Sequence, residues 1–406
     1  DEFDETNSLL HLMIDSGAGN DNIDTGIGND TITSDSGDNV IRTNRGHDHV
    51  TLGDGDDNVH GNTGHDSLYA GGGNNVLNGG LGDDTLVSSG GADYLDGGGG
   101  DDLMRAGNGD NYMRGENGDD TLYGGDDNDT ITGGRGNDEI FGYDGDNLIQ
   151  GGAGNDIIET GVGNDTVLTG YGYDHVTTGD GDDSIQSLQG EDSIFAGLGN
   201  DTVESGMRGQ IVDLDEGDDV WADLINFERP ADMVVEARST DEIFGGQGND
   251  SLTSMGADSL QGGDGNDTLS ALDEELADND AQSRHAADTL VAGAGADVLI
   301  GDDGDMLTGG EGVDFFQVNL ASTINTDPIQ AVEVTDFDPE TEVLTVQLED
   351  GASLSYEDLV FAENSETGGV TVSIGGETPM VLLELYSIDI DEITETNLLI
   401  AAAAAA

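Results

Sequence analysis

The stretch "GGRGNDEIFGYDGDNLIQGGAGNDIIE", residues 133–159, states one pattern three times in nine-residue steps. The same frame extends in both directions and divides the chain into twenty-one unbroken nonapeptides, from Ser16 to Glu204. With positions numbered 1 to 9, position 4 is glycine in every copy except at Asp127, and position 8 is always Ile, Val, Leu or Met. Position 6 is Asp in seventeen copies and Asn in four. A period held this long is the mark of a repeat architecture.

Each position has a physical reading. Glycines at 2 and 4 allow positive φ, so positions 1–6 curl into a tight turn. Positions 7–9 have strand character, with 8 pointing inward and 7 and 9 outward. One nonapeptide is then a turn plus a short strand, and two make a coil of eighteen residues. Stacked coils predict two parallel sheets enclosing the position-8 side chains, an all-β parallel β-roll, or β-solenoid. It is right-handed by expectation, because parallel crossovers are. At about 4.8 Å per coil the unbroken block would be about 50 Å long.

Composition agrees with a metal-dependent version of this fold. Among 406 residues there are 88 Asp and Glu against 9 basic residues, all arginine, for a formal charge of -79. Such a chain repels itself unless cations neutralise it. It lacks the basic footprint that nucleic acid or an anionic membrane requires. With no cysteine there are no disulfides and no thiolate metal sites. One apolar side chain per nonapeptide contributes about 1.5–3 kcal/mol when buried, whereas ordering each backbone residue costs about 1–2 kcal/mol. The turns must therefore contribute. Stacking them sets backbone carbonyls and position-6 carboxylates in columns, which suits a hard cation wanting six or more oxygens, calcium better than magnesium.

The copies "GGRGNDEIF", "GGAGNDIIE", "GGQGNDSLT" and "GGDGNDTLS" resemble the nonapeptide G-G-x-G-x-D-x-apolar-x of RTX (repeats-in-toxin) proteins. The resemblance implies several calcium ions, secretion by a bacterial type I system, and folding on meeting calcium outside the cell. It also implies that each ion lies between turns eighteen residues apart, with the position-6 Asp bridging two ions. On that basis the metal ligands are Asp21, Asp30, Asp48, Asp57, Asp66, Asp84, Asp93, Asp102, Asp120, Asp129, Asp138, Asp156, Asp165, Asp174, Asp183, Asp192 and Asp201. Later copies add Asp250, Asp258, Asp267 and Asp297, and turn carbonyls are represented by Gly134, Gly136, Gly152, Gly154, Gly246, Gly248, Gly263 and Gly265.

The four exceptions, Asn39, Asn75, Asn111 and Asn147, are 36 residues apart, hence on every second coil and on one side of the roll. Asn brings one oxygen and no charge, so this column is expected to alternate stronger and weaker sites. The residue after each is apolar, Val40, Val76, Tyr112 and Leu148, and these predict an outward stripe at about 9.6 Å spacing. The stripe is either a relic of duplication in 36-residue units or a docking face for another copy or for the second half of this chain.

The chain divides into a leading segment, 1–15, a first calcium-binding block, 16–204, and an interrupting segment, 205–235. A second block, 236–317, and a C-terminal β cap and secretion segment, 318–400, follow. "EGDDVWA" at 216–222 keeps a degenerate repeat that would point Trp221, the only tryptophan, inward. "ALDEELADNDAQSRHAA" at 271–287 reads as an acidic surface loop or short helix, and Phe315 and Phe316 as a cover for the open end of the roll. The "DFD" at 336–338 and the terminal "NLLI" resemble the last segment of serralysin-like RTX proteins. Six alanines, 401–406, fit no pattern and read as residues of unassigned identity.

No catalytic constellation stands out. There is no H-E-x-x-H, which the serralysin zinc site needs, and no G-x-S-x-G. His47 and His65, at position 5 of adjacent coils, would permit a transition-metal site or would simply replace the usual Asp or Asn. The sequence therefore reads as a non-enzymatic, secreted, extracellular or cell-surface calcium-binding protein that self-assembles as a filament, surface layer or adhesin stalk. Its partners are calcium, further copies through the stripe, and the type I secretion machinery. The alternative is the non-catalytic folding and secretion module of a larger secreted hydrolase.

Overall fold

Triplets with an apolar centre, separated by glycine turns, form mostly parallel strands, as the computed structural model of the protein shows. It describes residues 2–4, 10–206, 209–223, 241–254, 258–271, 287–302, 304–320, 331–338, 341–348, 359–363, 370–374, 380–385 and 398–402. Every regular element among them is a β-strand. The chain forms two compact units, Asp1–Gly197 and Leu198–Ala406.

In the first unit one sheet runs from Glu2–Asp4 through Asn22–Asp24 and Val40–Arg42 to Ser184–Gln186. The other runs from Met13–Asp15 through Thr31–Thr33 to His175–Asp180. From Asn22 onward each strand pairs in parallel with the one eighteen residues later, as Thr130 does with Leu148 and Glu139 with Ile157. The position-8 side chains, Ile23 to Ile194, are fully buried between the sheets. The stack already includes two strands of the leading segment.

The second unit repeats this plan with looser spacing. Within 205–235 the register persists to Asp223: Ile211–Glu216 and Val220–Asp223 are strands of the two sheets. Gln210 occupies a position 6, and Val212, Leu214 and Trp221 are fully buried, so the tryptophan points inward as expected. Coils then continue across both insertions, since Val220 pairs with Ser251 and Ser259 with Thr289. Most of the "ALDEELADNDAQSRHAA" segment lies outside the described residues, as does 224–235.

Phe316 does not cover an end. It is buried in a strand, Phe315–Leu320, on which Val343–Leu348 and then Leu398–Ala402 are laid in parallel. The other sheet is continued by Val332–Val334 and Met380–Leu385, with Val370–Ile374 and Leu359–Glu363 added antiparallel. In the "DFD" the Asp336 carboxylate accepts the N–H groups of Gly309 (2.9 Å) and Gly310 (2.7 Å), and Phe337 packs edge-on against Phe316. "NLLI" ends in the strand that includes Ala401 and Ala402.

The Trp221 indole is sealed from water and donates to Ser205 Oγ at 2.9 Å. Its fluorescence should move to shorter wavelength when calcium is added to chelator-treated protein and return when chelator is restored. An emission maximum indifferent to both would mean that this coil does not depend on calcium.

Candidate metal rims

Position 6 ends the turn and begins the strand, so its side chain lies where one coil faces the next. Along both rims a position-6 Asp or Asn typically accepts, through Oδ1, the N–H of the position-6 residue one coil earlier. Asp120 N–H donates to Asp138 Oδ1 (2.9 Å), and Asp138 N–H to Asp156 Oδ1 (2.9 Å). On the opposite rim Asp129 N–H donates to Asn147 Oδ1 (2.9 Å), and Asn147 N–H to Asp165 Oδ1 (2.7 Å). In the second unit Asp219, Asp250, Asp267 and Asp297 continue the ladder to Asp314.

The second oxygen is left over on most rungs. Oδ2 of Asp30, Asp48, Asp57, Asp66, Asp84, Asp93, Asp102, Asp120, Asp129, Asp138, Asp156, Asp165, Asp174, Asp250, Asp267 and Asp297 is buried without a hydrogen-bond partner. Asp192 and Asp258 differ, because Ser187 and Ser254, at position 1 of the same repeat, donate their hydroxyls to Oδ2. Buried carboxylate oxygens without partners are costly. Burial pushes Asp102 up to about 8, with repulsion from Asp120 and Asp84 adding to it against the Asp84 N–H. Burial likewise lifts Asp120, Asp129, Asp156 and Asp267 to about 7.

The glycines explain why the coils approach so closely. At Gly136 φ is 127°, and a Cβ there would be driven into the carbonyl oxygen of Gly118, one coil earlier. Gly154 has the same relation to the Gly136 carbonyl. The predicted glycines of positions 2 and 4, Gly134, Gly136, Gly152, Gly154, Gly246, Gly248, Gly263 and Gly265, all have positive φ and all face a carbonyl of the preceding coil. Carbonyls thus stack along each rim beside the carboxylates. Among the described residues no three side chains of His, Asp or Glu converge as a metal site. An ion here must draw most of its oxygens from the main chain, which calcium accepts and zinc does not.

Reading the sequence missed ligand candidates in the second unit. Asp219 and Asp314 hold the same place, with Oδ2 buried and unpartnered. Asp241, Asp288 and Asp305 also stand in the ladder. The overlooked signal was an Asp followed by x-apolar-x at the start of a strand, whatever preceded it. His47 and His65 take the role of the usual Asp or Asn at position 5. Their rings stack with centroids 5.0 Å apart, and their Nδ1 atoms accept the N–H groups of His65 (2.8 Å) and Asp83 (2.7 Å). Asp101 and Asp119 accept in the same direction farther along.

Among known families, the RTX calcium-binding nonapeptide repeat (4 copies) matches residues 15–50, 51–86, 79–113, 105–140, 132–167, 141–176, 168–203, 253–273 and 286–316. No curated protein matches the chain. The extracellular lipase LipA from Serratia marcescens is 18% identical over 70% of this chain and 40% of its own, with a TM-score of 0.19. The chain thus spans well under half of that lipase's length, and so low a score supports no inference.

Two outcomes follow from the rims. Gly136→Ala adds a Cβ at a carbonyl contact and at positive φ, a strain of about 1–3 kcal/mol, and should raise the calcium concentration needed for folding. Unchanged calcium titration by circular dichroism would contradict this. The carboxylates raised to about 6–8 hold protons in the rolled state that the unfolded chain has lost above about pH 4. Without ions, roll stability is therefore greatest in acid and falls as pH rises through 6–8. In chelator, the β-sheet signal should be stronger at pH 5 than at pH 8; the reverse order would contradict the burial argument.

Proposed function

The chain belongs to the RTX calcium-binding nonapeptide-repeat family, and we propose that it is a secreted scaffold that folds on extracellular calcium and then assembles with copies of itself. The observation that carries the calcium-driven folding is the column of buried, unpartnered Oδ2 atoms on each rim. In a medium poor in calcium these carboxylates repel and the chain stays open, a form suited to passage through a type I secretion channel. Outside the cell, ions bridging the Asp columns and the turn carbonyls close the coils. The segment 318–400 serves in this reading as cap and export signal, its strands extending both sheets.

Assembly is assigned to the sheet that carries the asparagine rim. Val40, Val76, Tyr112 and Leu148 lie on its outer face, with Tyr112 41% and Leu148 46% exposed. Tyr94 fills one gap by stacking on Tyr112 at 5.3 Å. An ordered apolar row on the outer face of a sheet suits contact with another copy of the same row.

Electron microscopy and sedimentation in calcium should show higher-order assemblies that chelator disperses. Val76→Asp with Leu148→Asp should leave calcium-induced folding intact and abolish assembly. A wild-type chain that stays monomeric in calcium at all concentrations would instead support a folding and secretion module within a larger secreted protein.

A further inference from the structure

The four asparagines do more than omit a charge. Each Oδ1 accepts the N–H of the preceding coil, as an aspartate would: from Asp21 to Asn39 (3.1 Å), Asp57 to Asn75 (3.0 Å), Asp93 to Asn111 (3.0 Å) and Asp129 to Asn147 (2.9 Å). This bond fixes the orientation of the amide, because a flipped amide would set its NH2 against that N–H. Nδ2 must then take the place that Oδ2 holds in the aspartate copies. A Cβ added at Gly133 would meet Asp138 Oδ2, whereas one added at Gly142 would meet Asn147 Nδ2 at 3.1 Å.

From that place the amide donates back into its own turn. Asn39 Nδ2 reaches Gly37 O (2.8 Å) and Asp57 Oδ1 (2.9 Å). Asn75 Nδ2 reaches Gly71 O (3.3 Å), Gly73 O (3.2 Å) and Ser88 Oγ (3.0 Å). Asn111 Nδ2 reaches Gly107 O (3.0 Å), and Asn147 Nδ2 reaches Tyr143 O (3.2 Å) and Gly145 O (3.0 Å). Apart from Asp57 Oδ1 and Ser88 Oγ, the acceptors are the carbonyls of positions 2 and 4. An Asp at position 6 turns a bare oxygen toward these carbonyls, and oxygen facing oxygen needs a cation between. An Asn supplies the positive hydrogens itself.

We propose that the side-chain amides of Asn39, Asn75, Asn111 and Asn147 replace calcium at their own turns. Every second coil of that rim then closes without an ion, while the opposite rim, aspartate at every coil from Asp30 to Asp174, loads at each of them. The inference rests on the calcium reading of the aspartate rungs. An ion entering an asparagine turn would have to displace the amide from one or two carbonyls and would meet one fewer anionic ligand, and both weaken calcium binding. The arrangement also removes four charges from a column of like charges, so these turns are the ones able to close first when calcium is scarce.

The test is the number of ions bound at saturating calcium, read by native mass spectrometry, with folding followed by circular dichroism. Replacing all four (N39D, N75D, N111D, N147D) should add about four ions, one for each restored carboxylate, and should diminish the β-sheet signal left at low calcium. The single variant Asn147→Asp, which disturbs less, should add one ion, and Asp138→Asn on the opposite rim should lose one. Folded Asn→Asp variants that bind no more ions than the wild type would overturn the proposal. Absence of bound calcium in every chain, with folding unaffected, would overturn the calcium reading itself and the proposal with it.

Discussion

The fold depends on how a buried carboxylate oxygen is satisfied. Each aspartate rung spends Oδ1 on the neighbouring coil's N–H and leaves Oδ2 enclosed beside stacked carbonyls. Exceptions among the described residues are Asp192 and Asp258, which take a serine hydroxyl there, and Asp305, which takes the Asp302 N–H. The strands are joined by backbone hydrogen bonds, whereas the turns set oxygen beside oxygen. A hard divalent cation is the partner that a set of carbonyl and carboxylate oxygens fits.

Other features follow from that constraint. The coils must approach until one carbonyl touches the next Cα, which leaves only hydrogen at positions such as Gly136 and Gly154. Thin strands with one inward residue suffice because the rims share the work of holding the coils together. Two insertions are tolerated in the second unit because they leave between strands. Gln210 N–H still finds Asp241 Oδ1, and Asp267 N–H still finds Asp297 Oδ1, across 31 and 30 residues.

Much of this was legible in the amino-acid sequence because a nine-residue period leaves little freedom. Position 8 gave the core from Ile23 to Val203, and the 36-residue spacing of the asparagines put them on one rim, where the structure has them. The frame became hard to follow where its landmarks changed while its geometry did not. Arg208 and Gly209 stand where glycine and a polar residue are usual, and Gln210 stands for Asp, yet the strand that follows is in place. Asp241, Asp288 and Asp305 were obscured because their coils are lengthened by insertions or shortened by one residue. The position-5 ladder could not be foreseen from residue type, since His47 resembles a transition-metal ligand until its Nδ1 is seen to accept a backbone N–H. Phe316 appeared terminal because glycine thins out after it, although both sheets continue through ordinary β-strands.

The most direct measurement is anomalous diffraction from crystals grown in calcium, which locates the ions independently of any refined occupancy. The account predicts a row of calcium peaks along each rim, within coordination distance of Oδ2 of residues such as Asp120, Asp138 and Asp156 and of the stacked turn carbonyls. Well-ordered rims with no calcium beside those oxygens would contradict it.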